Sequence, residues 1–248
     1  MTTGFRRACL VIASFSSPLV AQDSSTTGHF HVGLTIHDWG LSVGNAPRVN
    51  GLRINIQDAG LERVNGINVT LWKPREPLTG TVNGIQAGLV PGSRIVNGIA
   101  LGVGGVVAER RARWVTVGGL GAVSNGDFGG LVVGGLGTVA NRDISGIAIG
   151  GLAVVTNGRL TGVAIGGLAV VANAAVRGIG IAGYSVDSHA LTGLSISAYN
   201  RVRGPQHGLT IGLYNTANEL HGVQVGILNR AKNNRAPFKI LPILNVHL

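Results

Sequence analysis

The sequence predicts an all-β protein: a parallel β-solenoid of about twelve coils of 14–18 residues, with an N-terminal and a C-terminal cap. Three observations predict it. The first is a near-duplication between Gly146 and Arg177, where GIAIGGLAVVTNGRLT is followed by GVAIGGLAVVANAAVR. The second is a period. With a glycine as position zero, units begin at Gly51, Gly66, Gly84, Gly98, Trp114 (glycine replaced), Gly130, Gly146, Gly162, Gly178, Gly193, Gly208 and Gly222, and five consecutive intervals are sixteen residues long. A near-fixed period is the mark of a repeat architecture. The third is column chemistry. Position one is aliphatic in every unit (Ile147, Val163, Ile179 and their equivalents), and so is position three (Ile149, Ile165, Ile181), while position two between them is mixed and mostly small or polar. Alternation of period two describes a strand with one buried face. Positions one and three are therefore assigned to the interior, with Ile147 and Ile149 enclosed and Ala148 outside.

Taken in order, residues 1–21 read as a signal peptide. Arg6 and Arg7 precede the apolar run Ala8–Phe15, and Val20-Ala21 offers a cleavage point. The run is far shorter than the roughly 20 residues of a membrane-spanning helix. Residues 22–48 form a polar leader and cap, in which Phe30, Val32, Leu34 and Ile36 alternate along a half-buried strand. Residues 49–229 are the Gly-rich repeat domain. Four irregular units marked by Val-Asn-Gly come first, with insertions at Lys73–Leu78 and Pro91–Arg94. The charged run Glu109–Arg113 reads as a corner, and the regular centre occupies 114–177. Residues 230–248, with RAKNNRAPF and Pro242, depart from the pattern and read as the C-terminal cap, since an open solenoid end must have its strand edge blunted.

Within a unit, position four is small and position six bulky. This suits a bend at Gly150 or its equivalents, followed by a second short strand. Tyr184, Tyr199 and Tyr214 all occupy position six and are expected to stack as a three-step ladder. Asn125, Asn141, Asn157 and Asn173 at position eleven, and Asn200, Asn215 and Asn229 at position seven, read as corner residues tolerant of left-handed backbone. The rival architecture is an antiparallel outer-membrane β-barrel. Its strands would alternate apolar and polar faces between aromatic girdles, whereas Gly162–Ala172 is apolar or small on both faces and aromatics are only 4% of the chain.

Composition narrows the function classes. The 41 glycines lack the three-residue period of collagen, and 45% hydrophobic residues are too many for a disordered linker. Removing residues 1–21 leaves 18 basic against 10 acidic residues, a net charge of +8, and the arginines are scattered between repeats. Cys9 lies within the signal, so the mature chain has no thiol, disulfide or cysteine metal ligand.

The segments VNGINVTLWKP (Val64–Pro74), SAYNRVRGPQHGLTIGLYN (Ser197–Asn215), GVQVGILN (Gly222–Asn229) and LPILNVHL (Leu241–Leu248) resemble exported bacterial proteins built from G-hydrophobic-Q-hydrophobic-G-L-hydrophobic-N units, including the Leptospira-type surface-repeat proteins. The likeness covers about residues 49–248 and implies a surface protein without implying a reaction. The central units depart from it by their double glycine and the absence of the usual glutamine.

Gly178–Gly183 matches GxGxxG but has no helix signal after it, as a dinucleotide site requires. Ser185, Asp187 and His189 cluster near one corner. His29, His31 and His37 have an odd spacing that places them on one strand face beside Asp38. His207 and His221 precede equivalent glycines and are expected to meet at one corner. None is assigned a catalytic, cofactor or metal role, and no cofactor is expected. The expectation is an exported non-enzymatic repeat protein of structural, adhesive or surface-binding role, located in the periplasm, outer membrane or cell surface. Its expected partners are a cell-envelope or polysaccharide surface or a second copy of itself, and not nucleic acid. The alternatives are an outer-membrane barrel and a polysaccharide-active β-helix enzyme.

Overall fold

The computed structural model describes residues 31–75 and 77–247. The signal peptide and most of the polar leader lie outside the described residues. Among those described there is no helix, and the chain winds into a β-solenoid of about 11 turns. Every pairing between successive coils is parallel, which replaces the barrel alternative. Like lies over like: Gly146 pairs with Gly162, Ile147 with Val163, Ala148 with Ala164 and Ile149 with Ile165.

Both ends are closed by an antiparallel strand. At the N-terminus β1 (His31–Ile36) folds back on β2 (Trp39–Gly44) through a two-residue turn, His37-Asp38, with φ of 51° and 65°. Positive φ at both central residues matches the right-handed twist of a hairpin. β2 then starts the parallel stack with β3 (Arg48–Asn55), β4 (Arg63–Thr70), β5 (Thr81–Gly88), β6 (Gly92–Gly102) and β7 (Gly105–Gly118). The expectation of a half-buried first strand is corrected, because Val32, Leu34 and Ile36 are all exposed on a strand that forms the edge of the sheet among the described residues, while Phe30 lies outside them. The ERRAR run is likewise no corner but lies inside β7.

In the centre each coil has two strands. β8 (Gly121–Ser124), β10 (Gly137–Ala140) and β12 (Ala153–Thr156) are the short second strands. β9 (Asp127–Gly134), β11 (Ile144–Gly150) and β13 (Arg159–Gly166) are the first strands. In β14 (Ala169–Ala182), β15 (Ser185–Ile196), β16 (Tyr199–Ile211) and β17 (Tyr214–Ala231) the second strand of one coil runs on into the first of the next. β18 (Ile240–His247) then caps β17 antiparallel.

The interior face is the reverse of the one expected. Ala148 is completely buried while Ile147 is 46% exposed. Even positions point inward: Ile144, Leu160 and Val176 two residues before the glycine, Ala148 and Ala164 at position two, and Val154, Val170 and Val186 from the facing strand. The physical reason is width. In the coils where Val154, Val170 and Val186 fill the gap from the facing strand, position two is small, as at Ala148, Ala164 and Gly180, whereas Val132 is buried in the coil whose second strand carries the smaller Thr138. The larger aliphatics at one and three are left outside. Polarity misled because the inner column is polar mainly toward the ends, with Arg53, Asn68 and Gln86 at one and Ser195, Thr210 and Gln224 at the other, all buried, and Thr116 buried between them.

Two further expectations change for the same reason. Asn200, Asn215 and Asn229 are not corner residues. The units there are one residue shorter at the bend, which moves Asn200 into register with buried Val186. The three amides form an internal ladder, Asn200 Nδ2 donating to Asn215 Oδ1 at 2.7 Å and Asn215 Nδ2 to Asn229 Oδ1 at 2.7 Å, each also bonding a backbone carbonyl. Buried amides are tolerated because they are bonded in this way. The same shortening puts Tyr199 over Ser185 rather than Tyr184, so the tyrosine ladder has two rungs, Tyr199 and Tyr214, stacked with ring centres 5.5 Å apart and nearly parallel. Asn125, Asn141 and Asn157 do sit at exposed bends, whereas Asn173 lies exposed inside β14 at a register shift; Asn173 Nδ2 donates to Asn157 Oδ1 at 2.9 Å and Asn125 Nδ2 to Glu109 at 2.8 Å. None of them has positive φ.

The inner column also carries one underfilled step. A Cβ on Gly180 would meet Val186 Cγ1 at 3.4 Å, an ordinary contact, and Gly180 does not have positive φ. Its neighbours in register are Ala164 and Ser195. Gly180→Ala is therefore expected to stabilise the protein by about 0.5–1 kcal/mol, through lower unfolded-state entropy and added packing. Thermal denaturation checks it, and an unchanged or lower Tm would contradict it.

Candidate functional site

With position two inside, the aliphatic columns at positions one and three become an outer wall. Ile67, Ile99, Ile147 and Ile165 are exposed on it. At the bend beside it Leu120, Leu136, Leu152 and Leu168 add a further exposed column. The bend residues are set by hydrogen bonds from coil to coil, such as Leu152 N to Leu136 O and Leu168 N to Leu152 O, both 2.7 Å. Eleven steps of about 4.8 Å give the wall a length of about 50 Å, and positions one to six span about 15 Å. No charged residue occupies positions one or three in any unit. Contiguous apolar patches of this extent on soluble proteins mark contact surfaces.

The second strand is different at its C-terminal end. There Tyr199 and Tyr214 flank a groove of about 490 Å³ that also takes in Arg201, Arg203, Arg230 and Lys232. Asp187 lies beside it, one coil before Arg201 and in register with it: Arg203 Nε donates to Asp187 Oδ1 at 2.9 Å, and Arg201 Nη1 lies 3.9 Å from Oδ2. The Asp187 carboxylate is thus held by guanidinium groups, and the Ser185, Asp187 and His189 cluster is not assembled as a nucleophile and base.

At another corner His207 and His221 stack with ring centres 4.9 Å apart, as their spacing predicts. His247, from the capping strand, meets His221 edge-on at 5.8 Å and hydrogen-bonds Asn234 through Nδ1. The cap contributes a third ring that the repeat pattern cannot announce, because β18 lies outside the repeat. Among the described residues no three His, Cys, Asp or Glu side chains converge as metal ligands. His37 lies in the hairpin turn rather than on the strand with His31, which undoes the shared face, and His29 lies outside the described residues. Gly178–Gly183 runs through a strand into a bend with no helix after it, and Gly178 belongs to the positive-φ column.

A third constellation escaped the sequence reading. Arg53, taken as outward at position two, is wholly buried and ion-paired with Asp58. Its guanidinium also donates to Ala46 O at 3.0 Å, Asn68 Oδ1 at 2.9 Å and Asn45 Oδ1 at 3.2 Å. Asp58 accepts in turn from Asn55 and Asn68, each at 3.0 Å, and from Thr70 at 2.7 Å. Apart from Asn55 Oδ1, which has no partner, its hydrogen bonds are met inside the coil, and this network reads as structural. The signal that could have found it was the run of Arg53, Asn68 and Gln86 down one column, a polar set too consistent in register to be incidental.

Comparison of the chain with family models, with curated proteins and with solved structures finds no match in any of the three.

Proposed function

We propose that this is an exported, non-enzymatic repeat protein of structural, adhesive or surface-binding role, whose working surface is the aliphatic wall and whose occupant there is a second copy of the chain. The observation that carries the reading is the wall itself: uncharged, continuous across the coils and outside the core. Its area, on the order of 800 Å² by the dimensions above, equals what one partner contributes to a standard protein interface. Ridges repeating every coil on one wall fit the grooves of an identical wall, so self-pairing needs no further complementarity. Export rests on Arg6, Arg7 and the apolar run Ala8–Phe15.

Cell fractionation tests export, with the protein expected outside the cytoplasm. Sedimentation velocity over a concentration series tests the wall. The expected result is self-association that the double variant Ile147→Lys/Ile165→Lys reduces at least ten-fold, with the circular dichroism spectrum and unfolding midpoint little changed because both side chains point out. A protein that stays monomeric at every concentration would overturn the self-pairing.

A further inference from the structure

The C-terminal groove begins at the start of the second strand, just past the bend that borders the aliphatic wall, and its binding groups are not those of the wall. Its cations are ordered by the solenoid. Arg201 is in register with Thr216 one coil on, and the Asn218 side chain bonds the Arg203 carbonyl oxygen across the same step. Arg230 and Lys232 belong to the coil after that, with Lys232 N donating to Ala217 O at 3.1 Å. Along the groove two cationic coils are therefore separated by one that lines it with uncharged Tyr214, Thr216 and Asn218, Glu219 lying just beyond, and the two pairs of cations stand about 10 Å apart along the axis, twice the strand spacing. Asp187 neutralises part of the first pair, while neither Arg230 nor Lys232 forms an ion pair among the described residues. Beside them Tyr199 and Tyr214 stack with an interplanar angle of 2°, a stiff wall that is apolar along the ring edges and carries a hydroxyl at its tip.

We propose that this groove binds an anionic polysaccharide lying along the solenoid axis. Acidic groups on alternate sugars would meet the Arg201/Arg203 pair and the Arg230/Lys232 pair. Guanidinium groups suit this because their paired N–H donors match a carboxylate or sulfate. The intervening sugar lies over neutral Thr216 and Asn218 and along the tyrosine edges. Nucleic acid fits less well. Base recognition without sequence preference uses open aromatic faces, and here the two rings face each other 5.5 Å apart with no room for a base between them.

The test is binding of hyaluronate, which carries a carboxylate on every second sugar, to the full chain by calorimetry at several salt concentrations. Neutral dextran and single-stranded DNA serve as comparison probes. Hyaluronate should bind with an affinity that falls as salt rises, and dextran should not bind. Arg230→Gln/Lys232→Gln should weaken hyaluronate at least ten-fold, and Tyr199→Leu/Tyr214→Leu several-fold. Arg113→Gln/Arg159→Gln removes the same charge elsewhere on the chain and should change it less than two-fold. All four substituted groove positions are at least partly exposed, and an unchanged unfolding midpoint confirms that the variants fold; should the tyrosine pair fail this check, Tyr214→Phe alone tests the hydroxyl. No hyaluronate binding, an equal loss in the Arg113/Arg159 variant, or tighter binding of DNA through the same tyrosines would each overturn the proposal.

Discussion

Gly162→Ala will destabilise the solenoid by about 3–5 kcal/mol, the range of backbone strain combined with a broken packing contact. Gly162 has φ of +117°, and a Cβ built on it would lie 2.1 Å from the carbonyl oxygen of Gly146 directly beneath. That contact is with backbone, so no side chain can swing aside. The constraint propagates along the stack. Gly146 stands in the same relation to Gly130 at 2.2 Å, and Gly178 to Gly162 at 2.1 Å. Each carbonyl needs a residue without a Cβ on the next coil. One coil shows what relief requires. Trp114 replaces the glycine, its φ is 86°, and Gly130 after it moves to 87°, whereas the column elsewhere from Gly51 to Gly222 holds 116–147°. Two coils have shifted to admit one Cβ. Urea unfolding measures the loss. Because each coil contacts only its neighbours, limited proteolysis of the variant should open the chain in the turns around Asn157 before either end. The contrast with Gly180→Ala, which is expected to raise stability only 18 positions away, isolates φ and backbone contact from the chemistry of the substitution. Equal behaviour of the two variants would sink the account.

Arg53→Met will cost about 3–5 kcal/mol, because it leaves the Asp58 carboxylate buried without its countercharge. The side chains of Asn55, Asn68 and Thr70 would still donate to that carboxylate, but none carries a charge. The double variant Arg53→Met/Asp58→Leu should recover most of the loss, since replacing both members of a buried pair by apolar groups is often close to neutral. Chemical denaturation of the two variants decides it. If the double variant is as unstable as the single one, the hydrogen-bond network rather than the charge pair holds the N-terminal coils.

The chain's own pattern carried most of the architecture. The offset of sixteen between Gly146 and Gly162, and between Ile149 and Ile165, is the register of the parallel ladder, and nothing beyond counting was needed to see it. The histidine stack followed from the same counting. Of the tyrosine ladder Tyr199 and Tyr214 stack but Tyr184 drops out, because one residue lost at the bend near Ser197 moves every later residue by one place in the coil. A shift of one exchanges inside for outside in any strand, and it took Asn200, Asn215 and Asn229 from a supposed corner into the core. Counting from a glycine could not see where in the unit the missing residue lay.

The order and direction of the coils were determined by sequence, because a repeat stacked in parallel places equal residues over one another whatever the cross-section. Which side of each strand is enclosed was decided only by the tertiary structure. Ile147 and Ala148 are both apolar, so hydrophobicity does not choose between them. In that coil the space left by Val154 on the facing strand admits the methyl group and refuses the larger side chain. The same choice buried Arg53 with Asp58, left the isoleucines in solvent, and drew Arg201, Arg203, Arg230 and Lys232 from separate coils onto one groove.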